Sequence, residues 1–342
     1  MQETPYADRP AVVVWEMTRA CRLACRHCRA TAQREPDPNQ LSVLEGYNLL
    51  EQIAAAAPDL LILTGGDPAR RADLLRLIRR GTSLGLRIAL SPSATPDLLA
   101  LDFNALREAG VRRVSLSLDG ATPETHNAFR GVSRAWDWTM RAAAQFRVAG
   151  IPFQINTTIT KSNLGEFDDL ARVVTEMQPA AWTIFLVVPM GRAKNEPLPS
   201  PFEVEQLFLK LRELSLSVPF AIRTTEGQHY RRILAQHHRS KDTTPLPPPI
   251  NDAKGFVFVS HTGEVCPSGF LPIGAGNVRN STLLEVYRAA PLFRALRDPA
   301  RLQGKCGRCK FNALCGGSRA RAYAVTGDPL AEEPLCSYQP SK

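Results

Sequence analysis

Eight cysteines stand in two groups along this 342-residue chain, with none between the groups. Cys21, Cys25 and Cys28 lie near one end; Cys266, Cys306, Cys309, Cys315 and Cys336 lie near the other. Residues 1–10 are polar, carry both charge signs and lack the apolar stretch of a secretory segment. A cytoplasmic chain is therefore expected, and clustered thiols in such a chain read as metal ligands rather than disulfides. Three thiolates spaced Cys-x3-Cys-x2-Cys can hold three irons of a [4Fe–4S] cubane, which ordinarily takes four. The remaining iron is then open to a substrate or cofactor, as the open position of a catalytic zinc is. A zinc site or buried structural cysteines is the alternative, although three short-spaced cysteines without a nearby fourth suit zinc poorly.

The elements that must carry these groups follow from periodicity. Apolar runs at 12–15, 60–63, 87–90, 114–118, 153–156 and 183–188 predict buried parallel strands. Helical stretches separate them. Ser42 with Glu45 forms a capping box, Thr95-Pro96 and Ser200-Pro201 set a cap before a first-turn proline, and Glu203 completes a second box. Gly85, Gly110 and Gly150 end helices ahead of strands. Six strands alternating with helices predict an α/β fold, and six are too few for a closed eight-strand barrel, so an open partial (βα)6 TIM barrel is expected. Ligands bind such sheets at the C-terminal strand ends. The polar interruptions fall there: Thr18, Thr64 to Asp67, Ser91, Ser117 and Asp119, Asn156-Thr157, and Pro189 to Arg192.

The sequence after the first strand resembles the radical S-adenosylmethionine (SAM) superfamily, whose defining motif is this Cys-x3-Cys-x2-Cys loop. Thr64-Gly65-Gly66-Asp67-Pro68 is similar to its "GGE" segment, with Asp for Glu, and Ser117-Leu118-Asp119-Gly120 to its SLDG segment. Phe129-Arg130-Gly131 follows, as in many members. The resemblance implies SAM contacts at Gly65, Gly66 and Asp67 for the amino group, at Ser117, Asp119 and Asn156 for the ribose or carboxylate region, at Arg130 for the carboxylate, and at His27 near the adenine. It also implies reductive cleavage of SAM at the cluster to a 5′-deoxyadenosyl radical, which abstracts a hydrogen atom from a substrate. An electron donor such as flavodoxin or ferredoxin is then needed.

The later cysteines resemble a SPASM domain, a small C-terminal α+β iron–sulfur appendage. Ser281 and Arg319 stand where two of its cysteines are expected, which leaves Cys306, Cys309, Cys315 and Cys336 as ligands of one auxiliary [4Fe–4S] cluster, two clusters in all. Cys266 is left over, a buried apolar side chain or a free thiol facing the substrate cavity. Zinc is the alternative here too, since a Cys-x2-Cys start suits zinc ribbons. The expected division is 1–200 for the core barrel, 201–254 for connecting helices and a proline-rich linker at 240–249, and 255–342 for the appendage, opening with a hairpin at 256–265 that turns at Thr262-Gly263.

The tail from Cys315 to Cys336 closely resembles those of anaerobic haem synthases and haem d1 biosynthesis proteins, which implies a tetrapyrrole side chain as substrate; a ribosomally made peptide is the alternative. Arg319 and Arg321 suit an acidic substrate of either kind or brace the cluster loop. His229, Tyr230 and His261 are further candidates for substrate contact, against the ordinary reading as satisfied structural residues. The charge of +9 comes largely from scattered arginines, with no nucleic-acid motif and no apolar run long enough to span a membrane. Two non-enzymatic readings, an iron–sulfur electron carrier and a zinc-stabilised binding module, complete the field.

Overall fold

Strands β1 (Val12–Glu16), β2 (Leu60–Thr64), β3 (Ile88–Leu90), β4 (Val111–Ser117), β5 (Phe153–Ile159) and β6 (Ala181–Leu186) form where the six apolar runs predict them. They pair in sequence order, all parallel. The structure is a computed structural model that describes residues 6–238 and 246–340. Helix starts obey the local signals. The Ser42 and Ser200 side chains accept from the backbone of Glu45 and Glu203, whose carboxylates reach back to the cap N–H groups. Thr95 caps Pro96–Leu99, and Gly110, at φ +106°, ends Phe103–Ala109 in the left-handed region.

Among the described residues two further strands extend the parallel run to eight, correcting the expected six. β7 (Ala221–Thr225) lies beside β6, and β9 (Gly255–Val259) lies beside β1. β7 escapes sequence reading because it is an exposed edge strand whose Ala-Ile-Arg-Thr-Thr holds only a short apolar stretch. Eight parallel strands still do not close. The outer edge of β9 is taken by β10 (Glu264–Cys266) in the expected hairpin, and β11 (Gly276–Asn277) pairs beyond it, so β7 and β9 never meet. A short β8 (Asn251–Asp252) also pairs with β9. The segment from 255 onward thus gives a strand to the main sheet before leaving it. Residues 240–245 of the expected linker lie outside the described residues.

The alternation of side chains gives the sheet two unlike faces. Val13, Trp15, Leu61, Leu63, Ile88, Leu90, Val114, Leu116, Ile155, Trp182 and Ile184 pack against helix residues such as Leu49, Leu77, Leu106, Phe146, Leu170 and Phe208 in one continuous core. The inner face carries Val14, Phe258 and Cys266, packed with Val12, Ile62 and Phe256, on the β9-β1-β2 side. Toward β4–β7 it turns polar, with Ser117, Asn156, Thr183 and Arg223 in one register row. Among the described residues no helix is long and apolar enough to cross a membrane.

Candidate active site

The loop leaving β1 carries Cys21, Cys25 and Cys28 on its inside. Cys21 and Cys25 are buried with Leu23 and packed against Cys28, Val132 and Trp138. Each sulfur already has a donor. The Leu23 N–H lies 3.4 Å from Cys21 Sγ and the Ala32 N–H 3.4 Å from Cys28 Sγ, while the Ser93 hydroxyl, also 3.4 Å from Cys21 Sγ, donates to Gly66 O. Arg130 Nη1 lies 3.6 Å from Cys25 Sγ. Hydrogen bonds to sulfur stabilise cluster thiolates, so these residues fit an iron–sulfur group. Without a metal, burial pushes the Cys21 thiol up to about 11 and raises that of Cys25.

Three neighbouring loops hold the cysteine loop in place by close backbone approach. Gly66 donates to Thr18 O at 2.7 Å, and a Cβ there would meet Arg19 O at 2.5 Å. Gly191, at φ +55°, would place a Cβ 2.5 Å from Cys28 O. Only glycine fits at either position. Between them the Phe129 and Arg130 carbonyls accept from Arg26 and Ala24.

The residues expected to contact SAM divide into two sets. Gly65 and Gly66 lie beside the cysteine loop, the Gly66 N–H bonded to Thr18 O and its carbonyl accepting from the Ser93 hydroxyl. Ser117, at the end of β4, and Asn156, at the middle of β5, are register partners on the inner face and half-buried. His27 is half-buried and stacks on Phe129 at 4.6 Å; its Nδ1 is buried without a partner. Asp67, Asp119 and Arg130 belong to the second set, because protein partners already engage their side chains. Asp67 is fully buried and accepts from the Ala69 and Ser93 N–H groups and the Thr95 hydroxyl. It shapes the loop from behind. Asp119 accepts from the Thr158 N–H at 2.7 Å and is ion-paired with Arg130. The Arg130 guanidinium expected on a SAM carboxylate is therefore shared between Asp119 and Cys25.

Arg192, which the sequence places at a strand end but marks in no other way, has two free donor groups, against one, Nε, on Arg130. Its backbone N–H donates to Cys28 O at 3.0 Å, while its Nε and Nη2 are buried without partners. It lies within electrostatic range of His27. Two orphaned donor groups on Arg192 and an unpartnered ring nitrogen on His27, beside the cysteine loop, fit an absent anionic and heterocyclic ligand.

The second cysteine set also converges. Cys306, Cys309, Cys315 and Cys336 line one cavity together with His229, Arg232, Lys305 and Glu333. Backbone N–H groups of Glu333, Phe311 and Gly317 point at Cys306, Cys309 and Cys315 Sγ at 3.3, 3.4 and 3.4 Å. Among the described residues no three His, Cys, Asp or Glu side chains converge where a single ion would sit; a cubane, which spreads its thiolates over several irons, needs no such convergence. Arg319 and Arg321 brace this region, and Arg319 Nη2 lies 4.0 Å from Cys306 Sγ. Arg319 is buried and donates to Pro329 O and Ala331 O; Arg321 donates to Leu186 O, Val187 O and Glu226 O and pairs with Glu333. His261 is satisfied between Glu16 and Asp37 at 3.0 and 3.3 Å. Cys266 sits on the apolar inner face, 2% exposed, its thiol pushed up to about 12, mainly by burial. Ser281 is exposed and far from any ligand role.

Comparison with known proteins agrees with this geometry. Residues 15–174 match the radical SAM superfamily model. A protein from Oleidesulfovibrio alaskensis (strain G20) named AdoMet-dependent heme synthase is 41% identical over 97% of this chain and 88% of its own length. One of the same name from Methanosarcina barkeri (strain Fusaro) is 37% identical over 98% of each chain. The crystal structure of Streptococcus suis SuiB bound to S-adenosylmethionine shares the fold, with a TM-score of 0.74 at 17% identity, over 97% of this chain and 78% of that one. The cysteine loop, the glycine approach behind it and the full-length relatives lead to one conclusion: the chain belongs to the radical SAM superfamily, enzymes that bind SAM at a [4Fe–4S] cluster.

Proposed function

We propose that this radical SAM enzyme carries a second [4Fe–4S] cluster on Cys306, Cys309, Cys315 and Cys336 and acts on a tetrapyrrole with carboxylate side chains. The cluster and SAM at the first site supply a carbon radical able to take hydrogen from an unactivated position; the chain's work is to orient the substrate and exclude water. In this reading SAM lies along Gly65–Gly66, Ser117 and Asn156, its adenine against His27 and its carboxylate on Arg192. Asp67, Asp119 and Arg130 position the loops that hold it. The second cluster has four thiolates, so it is closed to ligands and passes electrons, and a low-potential carrier such as flavodoxin or ferredoxin supplies the first site.

The observation that carries the substrate reading is the uneven inner face. Its β9-β1-β2 side is apolar, with Phe256, Phe258, Val12, Val14 and Ile62. Arg113, on β4, shares that face and lies within electrostatic range of Arg87 and Arg223. Among the described residues none of these three guanidinium groups has a carboxylate partner or a hydrogen bond. Burial and mutual repulsion lower the Arg113 pKa, a cost that a bound anion would relieve. An apolar floor with a cationic side suits a flat macrocycle with carboxylates at its rim. The two relatives, alike over nearly the whole chain, carry names of haem synthesis.

The test is binding of coproporphyrin III, and of its tetramethyl ester, to reconstituted enzyme with SAM present. The acid should bind about tenfold or more tighter than the ester, and Arg113→Gln or Arg223→Gln should erase most of that difference, as losing a charged hydrogen bond does. No binding of either porphyrin, with binding of an acidic precursor peptide, would transfer the substrate reading to peptides.

A further inference from the structure

His229 precedes the helix Tyr230–His237, and its side chain is 1% exposed. The ring packs on Phe208 at 4.7 Å and forms part of the wall of the cavity that Cys306, Cys309, Cys315 and Cys336 share. Both ring nitrogens are buried and neither has a hydrogen-bond partner. The neighbouring acceptors are committed elsewhere, and of the neighbouring donors Arg232 keeps only its Nε without a partner. The Glu333 carboxylate accepts from Arg321 and from the Ser318 and Leu335 N–H groups. Arg232 donates to Glu205 and Gln236. An imidazole in either protonation state carries at least one N–H, and a buried donor without an acceptor points to a missing partner. His261, equally buried, shows the contrast, since both of its nitrogens are satisfied within the protein. The unpartnered His229 ring lines the same cavity as the four thiols.

We propose that His229 donates a ring N–H to a sulfur of the cluster held by Cys306, Cys309, Cys315 and Cys336, and thereby raises that cluster's reduction potential. The assignment rests on the two-cluster reading above. Reduction adds negative charge to the cluster, and a donor aimed at its sulfur stabilises the reduced form more than the oxidised one. Backbone N–H groups of Phe311, Gly317 and Glu333 already serve three of the thiolates. Their number is fixed by the chain path. His229 adds a side-chain donor from outside the cysteine segment, so it sets the potential without altering the ligand set. Four cysteines satisfy a cubane, so the imidazole is a positioning and tuning group, not a fifth ligand.

The experiment is an electron paramagnetic resonance redox titration of the reconstituted holoenzyme, with and without SAM, beside iron analysis; SAM perturbs the signal of the first cluster and so identifies the second. His229→Leu should keep about eight irons and lower the second cluster's midpoint potential. The expected shift is about tenfold in the one-electron equilibrium, or about 59 mV. His229→Gln, whose amide keeps an N–H, should stay near the wild type. An unchanged midpoint in His229→Leu with iron retained overturns the proposal. Loss of about four irons in both variants, with unchanged circular dichroism, makes the imidazole a ligand and overturns the donor role. Wild-type protein with only about four irons and a single signal removes the second cluster itself; iron analysis alone separates that failure from a failure of the donor.

Discussion

Arg130 ties Asp119 to Cys25: its guanidinium is ion-paired with the buried carboxylate and lies 3.6 Å from the thiol. The Asp119 carboxylate in turn accepts from the Thr158 N–H on β5. One buried side chain thus connects a cluster ligand to the sheet that positions it. The arrangement leaves Arg130 Nε, itself buried without a partner, as the donor that a SAM carboxylate would find on this side chain.

Removing that guanidinium leaves Asp119 charged, buried and unpaired. Arg130→Leu should therefore destabilise the protein by about 3–5 kcal/mol, the usual cost of breaking one partner out of a buried ion pair. Urea denaturation of the metal-free protein measures this directly. The reconstituted variant should also hold less iron at the first site, because the loop that carries Cys25 loses its side-chain anchor. Stability within about 0.5 kcal/mol of wild type, the range of an ordinary surface substitution, would show that the pair carries no such role.

Asp67 offers a sharper contrast between two roles. If its carboxylate held the SAM ammonium, neutralising it would abolish the contact. Its oxygens instead accept from the Ala69 and Ser93 N–H groups and from the Thr95 hydroxyl. Burial raises its pKa to about 6, so a neutral side chain costs little there. Asp67→Asn keeps an acceptor for the backbone donors, and the Thr95 hydroxyl can turn to accept. SAM affinity by equilibrium dialysis should then change less than about threefold. Asp67→Leu orphans three donors and should weaken SAM binding by tenfold or more, at about 1–3 kcal/mol per unsatisfied group. Equal loss in both variants would return the carboxylate to the ligand itself.

These two residues mark how far the sequence is legible. Cysteine spacing, strand runs and caps are local, so Cys21 to Cys28, the six central strands and the Ser42 and Ser200 helix starts can be read directly. Which way a polar side chain turns at a strand end is decided by neighbours far along the chain. Asp67 is claimed by Ser93 and Thr95, and Arg130 by Asp119, while Arg192 is left free. No spacing rule distinguishes them. β7 is hidden for a related reason: as an edge strand on a polar side it needs no apolar run. The same non-local accounting makes His229 unsatisfied and His261 satisfied, although both look alike as isolated histidines in the sequence.

Iron stoichiometry separates the roles of the later cysteines. Reconstituted enzyme should hold about eight irons, and Cys306→Ala with Cys309→Ala should lower that to about four. Cys266→Ser should leave it unchanged. That thiol packs against Val14 and Phe258 on the inner face, away from the four-cysteine cavity, and Ser281 is exposed on the surface. A loss of about four irons on changing Cys266 would place a cluster where the structure has apolar packing.

Glu226 is 3% exposed beside Asp252, and its side chain meets the Ser318 hydroxyl. The nearest cation, Arg321, makes two hydrogen bonds to Glu333 at 3.0 and 3.1 Å, which spends its charge on that carboxylate. Burial and then the Asp252 charge push the Glu226 pKa up to about 8, against an ordinary 4.5. The folded state therefore keeps a proton that the unfolded chain has released. Where the native state binds more protons, stability falls as pH rises. The stability that protonated Glu226 contributes is fully present below about pH 4.5, is lost progressively up to about pH 8, and is flat beyond it. Glu226→Gln removes the titration, because the amide imitates the neutral acid. Between pH 6 and pH 8.5 the melting temperature of the wild type should drop more than that of the variant, and at pH 8.5 the variant should be the more stable of the two. Parallel melting curves for wild type and variant across that range would mean that Glu226 is ionised in the folded protein, with Arg321 shared between two carboxylates.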